Sequence, residues 1–535
     1  MATQLEHPHL GHIRGVKPGV EGVAQYLGIQ YATLAHRFAA PEVKIKYEGT
    51  VDATNFGPSV VASSSGCDVE FSLIQKPLDG PISPAISDLD SLNLNISVPI
   101  ASVGEEAAKL PVLVFIHGGG FIHGGNWAPH YDLASIVAYS QSIGKPIIGV
   151  SINYRLGIPG FLDSEELRAT GAPANRGLLD QQAAFQWLRL NIGGFSGDPD
   201  QITAVGQSAG GSSIMHLLDL DPVEEPIFSR AVCMSGNKLA AAVFPRSAAQ
   251  DAYGAVLHHL GIDSAMPIDH QIANLKATTP EDLLAKVPSS VPLGPVVEPD
   301  QLPSFGAIKA HSCASRRALP LMIGSADFDG AIFEVMGLFA NRESDSLGQG
   351  FAKCLMKTLP TMQHANIGKL LDLYGLFPIE TDDADQTRDK IIQFGTDLKF
   401  FASSRDYASS WPSSSWLYYF KESNPWLGRY KGRSAHCLDI AYLFLNYKDI
   451  MDESQRKIAM SFARDVISFV NAETPWAEFH SSGKMRVYGM LENDQYPEQN
   501  LEGVKSAPSQ EVQTLWNEIG LDCLVQAWDT YFMSS

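Results

Sequence analysis

The chain is 535 residues long (58 kDa), with 45% apolar and 18% charged side chains and a mean hydropathy of −0.04. That balance excludes a largely disordered chain, and the length accommodates either several average domains or one large α/β unit with insertions. A formal charge of −20, spread along the chain, repels phosphate backbones and anionic membrane surfaces, so neither nucleic acid nor a membrane is expected as a partner.

The N-terminal MATQLEHPHLGHIRGVKPG has no apolar run behind a basic start. No stretch reaches roughly 18 consecutive apolar residues, and the final TYFMSS matches no retention, peroxisomal or prenylation signal. A cytoplasmic protein is expected. His7, His9 and His12 are dense enough to suggest a metal, but Pro8 and Gly11 deny them a regular helix and no carboxylate cluster accompanies them, so no metal site is expected.

Up to about residue 110, Gly-Val-Lys-Pro-Gly followed by YLGIQYA (26–32) predicts an antiparallel hairpin at one sheet edge. The sequon Asn95-Ile96-Ser97 falls in the strand-like run LNLNISV and reads as chance. Short apolar runs at 110–117 (LPVLVFIH), 146–153 (PIIGVSIN), 202–206 (ITAVG) and 319–324 (LPLMIG) have the length of buried parallel strands. Between the second and third, 179–192 (LDQQAAFQWLRLNI) carries helical periodicity. This alternation predicts an α/β fold in which helices cover both faces of a mostly parallel sheet. With no internal repeat, residues 1–535 read as one domain. Mostly helical insertions at about 240–310 and 335–400, with Pro-rich joints, are expected to cover the C-terminal edge of the sheet and shape a pocket. The cysteines at 67, 233, 313, 354, 437 and 523 lack zinc-ligand spacing and read as free thiols.

Gly206-Gln207-Ser208-Ala209-Gly210 follows the strand ITAVG and precedes the helical SSIMHLL, the setting of a nucleophile elbow. Glycines flank the serine because the sharp turn crowds the neighbouring strand and helix. His117-Gly118-Gly119-Gly120 ends the strand LPVLVFI about ninety residues earlier. A glycine run there leaves backbone N–H groups free to face an oxyanion.

With these motifs the chain resembles the type-B carboxylesterases of the cholinesterase–lipase family, which have the α/β-hydrolase fold. Further matching segments are Arg37-Phe38, Asn153-Tyr154-Arg155-Leu156-Gly157, Gly160-Phe161, Asn175-x-Gly177-Leu178-x-Asp180-Gln181, Phe195-Ser196-Gly197-Asp198-Pro199 and Met234-Ser235-Gly236. The resemblance implies a Ser208 nucleophile and an oxyanion hole from Gly119, Gly120 and Ala209. It implies an acid in Asp329-Gly330-Ala331-Ile332-Phe333, where the family more often has Glu, with Asp327 as the alternative. It implies His436 as base, in Ser434-Ala435-His436-Cys437, where the family usually has Gly at the Cys437 position. Ser235 and Asp439 resemble positions that orient the histidine loop and the acid, with ordinary capping or turn bonding as their competing reading. Phe121, His123 and Trp127 either face the pocket or pack the loop.

The implied activity is hydrolysis of a small or medium carboxylic ester through an acyl-enzyme on Ser208, without a cofactor. A lipase, an acyl-transferring or lactone-forming enzyme, and a non-catalytic binding member of the superfamily stay open as alternatives, and so does the oligomeric state. Two departures narrow the choice. The family's early half-cystine positions are altered, with Ser59 after Phe56-Gly57-Pro58 and Leu89-Asp90-Ser91 in the second block, which fits a reducing compartment. Arg37 thereby loses its usual glutamate, and Asp88 or Asp90 is expected to replace it. The loop 60–90 has no Trp to bind a quaternary ammonium, so choline esters are not expected substrates.

Overall fold

Strand-length runs that are apolar on both faces can only be buried in the middle of a sheet, and the amphipathic segments between them supply the helices that cover it. The computed structural model describes residues 2–534, apart from 64–65, 82, 103–107, 221–225, 242, 299–318, 343–345, 378–382, 490–497 and 501–507. Cys313 and part of the 240–310 insertion lie outside the described residues; the five described cysteines are free thiols.

In chain order the strands are β1 Ala2–His7, β2 Gly11–Val16, β3 Val23–Gln30, β4 Ala32–Thr33, β5 Glu42–Val43, β6 Val51–Asp52, β7 Asn93–Pro99, β8 Leu110–Ile116, β9 Ile148–Ile152, β10 Gly197–Gln207, β11 Arg230–Met234, β12 Leu321–Ala326, β13 Ser415–Phe420, β14 Lys484–Tyr488 and β15 Glu498–Asn500. The large sheet has the order β1-β2-β3-β7-β9-β8-β10-β11-β12-β13-β14-β15, with β6 beside β2. Neighbours from β9 to β14 pair in parallel, while β1, β2, β3 and β7 form an antiparallel extension and β15 closes the other edge antiparallel. β4 and β5 form a separate two-stranded ribbon.

The extension is larger than the single hairpin expected. Its tightest turn is HPHLG, where His7 pairs with Gly11, whereas β2 and β3 meet only at Val16 and Gln25. The expectation missed β1 because ATQLEH lacks an apolar run. His7 organises this turn: its Nδ1 accepts from the His9 and Leu10 N–H groups at 3.1 Å, and its Nε2 bonds to Asn191 O at 2.8 Å. β10 begins at Gly197 rather than at 202, with an irregular register between the two.

Chain order places the site. From β8 the chain goes to β9 on one side, then returns through the helix Arg176–Asn191 to β10 on the other, so the strand order reverses between β8 and β10. A crevice opens at the C-terminal ends of the strands at such a reversal. Ile116 pairs with Gly206, Gln207 with Met234, and Met234 with Gly324, so β8, β10, β11 and β12 end at nearly one level. The segments that follow them, 117–120, 208, 235 and 327–329, therefore emerge side by side. Helices Arg246–Leu260, Ile268–Ala277 and Pro280–Lys286 follow β11, and Leu347–Thr358, His364–Leu373 and Ala384–Gly395 lie between β12 and β13. The latter run into a π-helical turn, Thr396–Ala402. The helix Leu521–Met533 packs on this group, with Trp528 against Phe351. No helix among the described residues is long and apolar enough to cross a membrane.

One buried ion pair ties the loop between β4 and β5 to the core. The Arg155 guanidinium donates to both oxygens of Asp180 at 2.6 and 2.8 Å, and its other nitrogen donates to the Arg37 and Ala39 carbonyls at 2.9 and 2.8 Å. Arg37 in turn pairs with Asp88, and Asp90 instead receives a hydrogen bond from Ser87 at 3.2 Å. Removing the carboxylate in Asp180→Ala strands a buried cation, and a loss of about 3–5 kcal/mol is expected in urea unfolding. The half-exposed pair Arg14–Asp52 serves as the control, with Asp52→Ala expected to leave the urea midpoint nearly unchanged.

Candidate active site

Ser208 stands between the end of β10 and the helix Ala209–Leu220 with φ of 56°, a left-handed conformation that costs a non-glycine residue about 1–3 kcal/mol. Its N–H donates to Met234 O at 2.8 Å, which holds the turn against β11. The surrounding glycines are there because nothing larger fits. A Cβ on Gly206 would lie 2.4 Å from the Gly210 backbone, one on Gly210 2.0 Å from Ile116 O, and one on Gly236 1.9 Å from Ser208 O. The turn thus lifts the half-buried Ser208 side chain out of the sheet and into a cavity.

His436 is 1% exposed and sits at the end of an extended segment in which Ala435 bridges Phe328. Its Nδ1 is 2.7 Å from Asp329 Oδ1, and Asp329 Oδ2 accepts from the Ala326 N–H at 2.6 Å. Asp327 faces elsewhere: its Oδ1 accepts from the Tyr419 hydroxyl at 2.6 Å. With Nδ1 donating to Asp329, Nε2 carries the lone pair. That nitrogen makes no hydrogen bond to Ser208; the Gln207 side-chain amide donates to it at 3.2 Å. Cys437 follows with φ of 69°, so a side chain occupies a left-handed position beside the histidine.

The glycine turn after β8 supplies donors. Gly119 and Gly120 have φ of 94° and 61°, and among the described residues neither N–H has an acceptor. The Ala209 N–H opens its helix and has no intrahelical acceptor. The Gly119 carbonyl accepts from Ile122 and His123 at 3.1 and 2.9 Å, closing the turn. Beneath it, the His117 ring stacks on Tyr154 with centroids 4.6 Å apart, and burial pulls its pKa down to about 4, so it is neutral. Deeper still, Glu70 is fully enclosed. Burial alone pushes its carboxyl up, but His130 at 2.5 Å and the Tyr131 hydroxyl outweigh that and leave it below the usual range.

Ser235 and Asp439 are both in place near the dyad. Ser235 Oγ lies 3.4 Å from Asp439 Oδ2, the Tyr418 hydroxyl donates to the same oxygen at 3.1 Å, and Ile440 N–H caps Oδ1 at 2.9 Å. Burial, and then the Asp329 charge, push the Asp439 carboxyl up to about 7. Phe121 and Ile122 line the cavity, whereas Trp127 donates to Ser59 Oγ at 3.3 Å and faces away, and His123 packs the glycine turn.

The cavity holds about 410 Å³ and opens on Ser208, Ala209 and Gly120. Its walls come from the segments after β11 and β12, through Phe244, Leu293 and Met336. Three contributors went unrecognised in the sequence: Gln207 at the histidine, Phe400 with its ring 5.5 Å from the His436 ring, and the helix Leu521–Met533. Gln207 was legible in kind, since the residue before the serine ends a strand at the same crevice. The others carry no local signal.

A strand–serine–helix turn beside a glycine-rich donor turn, at the reversal point of a mostly parallel sheet, is the architecture of an α/β-hydrolase. The carboxylesterase family model matches residues 2–516, and the chain belongs to that family. Para-nitrobenzyl esterase of Bacillus subtilis is 28% identical over 500 residues, 90% of this chain and 91% of that protein. The human cocaine esterase is 33% identical over 291 residues, 53% of this chain and 49% of that protein. A solved structure of PNB esterase superposes with a TM-score of 0.73 at 25% identity, covering 96% of this chain and 99% of that one. The protein is a carboxylic ester hydrolase.

The raised Asp439 carboxyl has a consequence for stability. The folded state holds its proton to about pH 7 whereas the unfolded chain releases it near 3.8, the ordinary aspartate value, so this group's contribution is full below that value and is lost as pH rises toward 7. Asp397 and Glu422, also raised to about 7 by burial, share that sign. Asp439→Asn is therefore expected to flatten the pH dependence of the unfolding free energy between pH 4 and 7, measured against wild type by urea titration at each pH.

Proposed function

We propose that Ser208 is the nucleophile, His436 the general base and Asp329 the residue that orients it, with the N–H groups of Gly119, Gly120 and Ala209 holding the oxyanion. The observation that carries this reading is a left-handed Ser208 that lines one cavity with Gly120 and Ala209, beside a buried His436–Asp329 contact of 2.7 Å that reaches the residue before the serine, Gln207. In the reaction His436 Nε2 takes the Ser208 proton as Oγ attacks the ester carbonyl, so the Gln207 amide first yields that lone pair. The tetrahedral oxyanion forms against the backbone donors, collapses to an acyl-enzyme as His436 protonates the leaving alcohol, and water activated by the same imidazole releases the acid. Asp329 holds the Nδ1–H tautomer and stabilises the imidazolium. Ser235 and Asp439 steady the loop that carries His436. This cycle uses no metal or cofactor.

The substrate reading is a small or medium carboxylic ester with an apolar body, supported by a cavity of about 410 Å³ whose walls are mostly apolar. Residues 1–535 are read as one α/β-hydrolase unit. A cytoplasmic setting is supported by serines at the family's half-cystine positions and by free thiols at the five described cysteines.

Treatment with a fluorophosphonate is expected to add one adduct to the intact mass of the wild type and none to Ser208→Ala. Absence of labelling in folded wild-type protein would overturn the assignment. Ester hydrolysis is expected to fall by roughly 10⁶-fold in Ser208→Ala and about 10⁴-fold in Asp329→Asn, whereas Asp327→Asn is expected to stay within about tenfold of wild type.

A further inference from the structure

The wall of the Ser208 cavity is mostly apolar, with one ion pair set into it. Lys399 lines the cavity with a side chain only 1% exposed, and its Nζ meets Oδ1 of the 26% exposed Asp529 at 2.6 Å. The two arrive from different parts of the chain. Lys399 comes from the π-helical turn Thr396–Ala402, whose wider pitch places it and Phe400 together on the cavity, and Asp529 from the helix Leu521–Met533. That helix lies beyond residues 2–516, the span matched by the family model.

An ammonium carries three N–H donors. Asp529 Oδ1 is the only hydrogen-bond partner of the Lys399 ammonium among the described residues, so two of its donors are left over in a buried, apolar setting. Asp529 likewise has a second oxygen with no protein donor among the described residues. Two well-packed apolar residues would fill such a place at equal or better stability, since enclosing an ion pair costs more solvation than a single contact returns. The arrangement makes sense if a third group completes it.

We propose that Lys399 and Asp529 form a polar specificity subsite that takes a neutral oxygen function, a carbonyl or a hydroxyl, on the body of an otherwise apolar ester. Lys399 donates to that oxygen; a hydroxyl can also donate to the free Asp529 oxygen. Because Asp529 already neutralises Lys399, a carboxylate in the same place would leave a buried net negative charge within a protein of formal charge −20, and is selected against. This subsite rests on the reading of the Ser208 cavity as the acyl-transfer site.

The test compares kcat/KM for p-nitrophenyl heptanoate, its 4-, 5- and 6-oxo derivatives, the 7-hydroxy derivative and the mono-p-nitrophenyl ester of heptanedioic acid. In wild type at least one oxo or hydroxy ester is expected to exceed heptanoate by roughly tenfold, the worth of one hydrogen bond to a charged donor. Which of the two leads tells carbonyl from hydroxyl. In Lys399→Met, similar in length and apolar, the preference is expected to collapse to within about twofold, because the ratio reads the lost donor and not a general loss of rate. In Asp529→Asn the relative rate on the carboxylate ester is expected to rise roughly tenfold. Equal rates on all neutral esters in wild type, an unchanged preference in Lys399→Met, or a carboxylate ester favoured by wild type would each overturn the subsite. If Lys399→Met does not fold, Asp529→Asn decides alone, and no gain on the carboxylate ester overturns it. Failure of wild type to hydrolyse any ester, with Ser208 unlabelled by fluorophosphonate, would overturn the parent reading and the subsite with it.

Discussion

The site depends on how closely two pieces of backbone can approach at the end of β10. Ser208 can hold its left-handed turn only while its N–H reaches Met234 O and its carbonyl lies where a side chain on Gly236 would be. The following helix must then begin almost in contact with Ile116 O. Two of these contacts draw on the end of β11 and one on β8, the strands on either side of β10, so the position of the serine is set by the register of the parallel sheet rather than by the turn alone. Strain at one residue is tolerable because the sheet around it has no cheaper way to close.

That geometry also explains where the buried charges lie. The crevice is dry enough to push Asp439 upward and to leave His117 neutral, and in it Asp329 and Glu70 each meet an imidazole. The two imidazole–carboxylate contacts differ in what they can do. His436 presents its remaining nitrogen to Gln207, the residue before Ser208, while His130 is enclosed, with Phe71 packed on it edge to face. One suits the proton exchange proposed for it; the other packs the floor beneath the glycine turn.

Much of this was legible in the chain because the relevant residues follow directly on strands. GQSAG after ITAVG, HGGG after LPVLVFI and SADFDG after LPLMIG all mark the same edge of one sheet, and an edge is a local property. Whether Asp88 or Asp90 answers Arg37 was open at that level, since both lie in one loop and only the packed structure shows Asp88 taking the guanidinium. β1 escaped notice because its side chains are polar and its place comes from pairing with β2. The helix Leu521–Met533 reads as amphipathic wherever it occurs, but its partners, Phe333, Phe351 and Lys399, lie more than a hundred residues away. Contacts of that kind leave no period or motif to read.

The late position of that helix carries one more consequence. Every strand that sets the serine turn, from β8 to β13, precedes residue 421, whereas Trp528, Asp529 and Phe532 follow 520. A chain made from its N-terminus outward can therefore assemble the serine, the histidine and the backbone donors while one side of the cavity still stands open to water. The wall that would sort substrates closes after the turn that carries the serine.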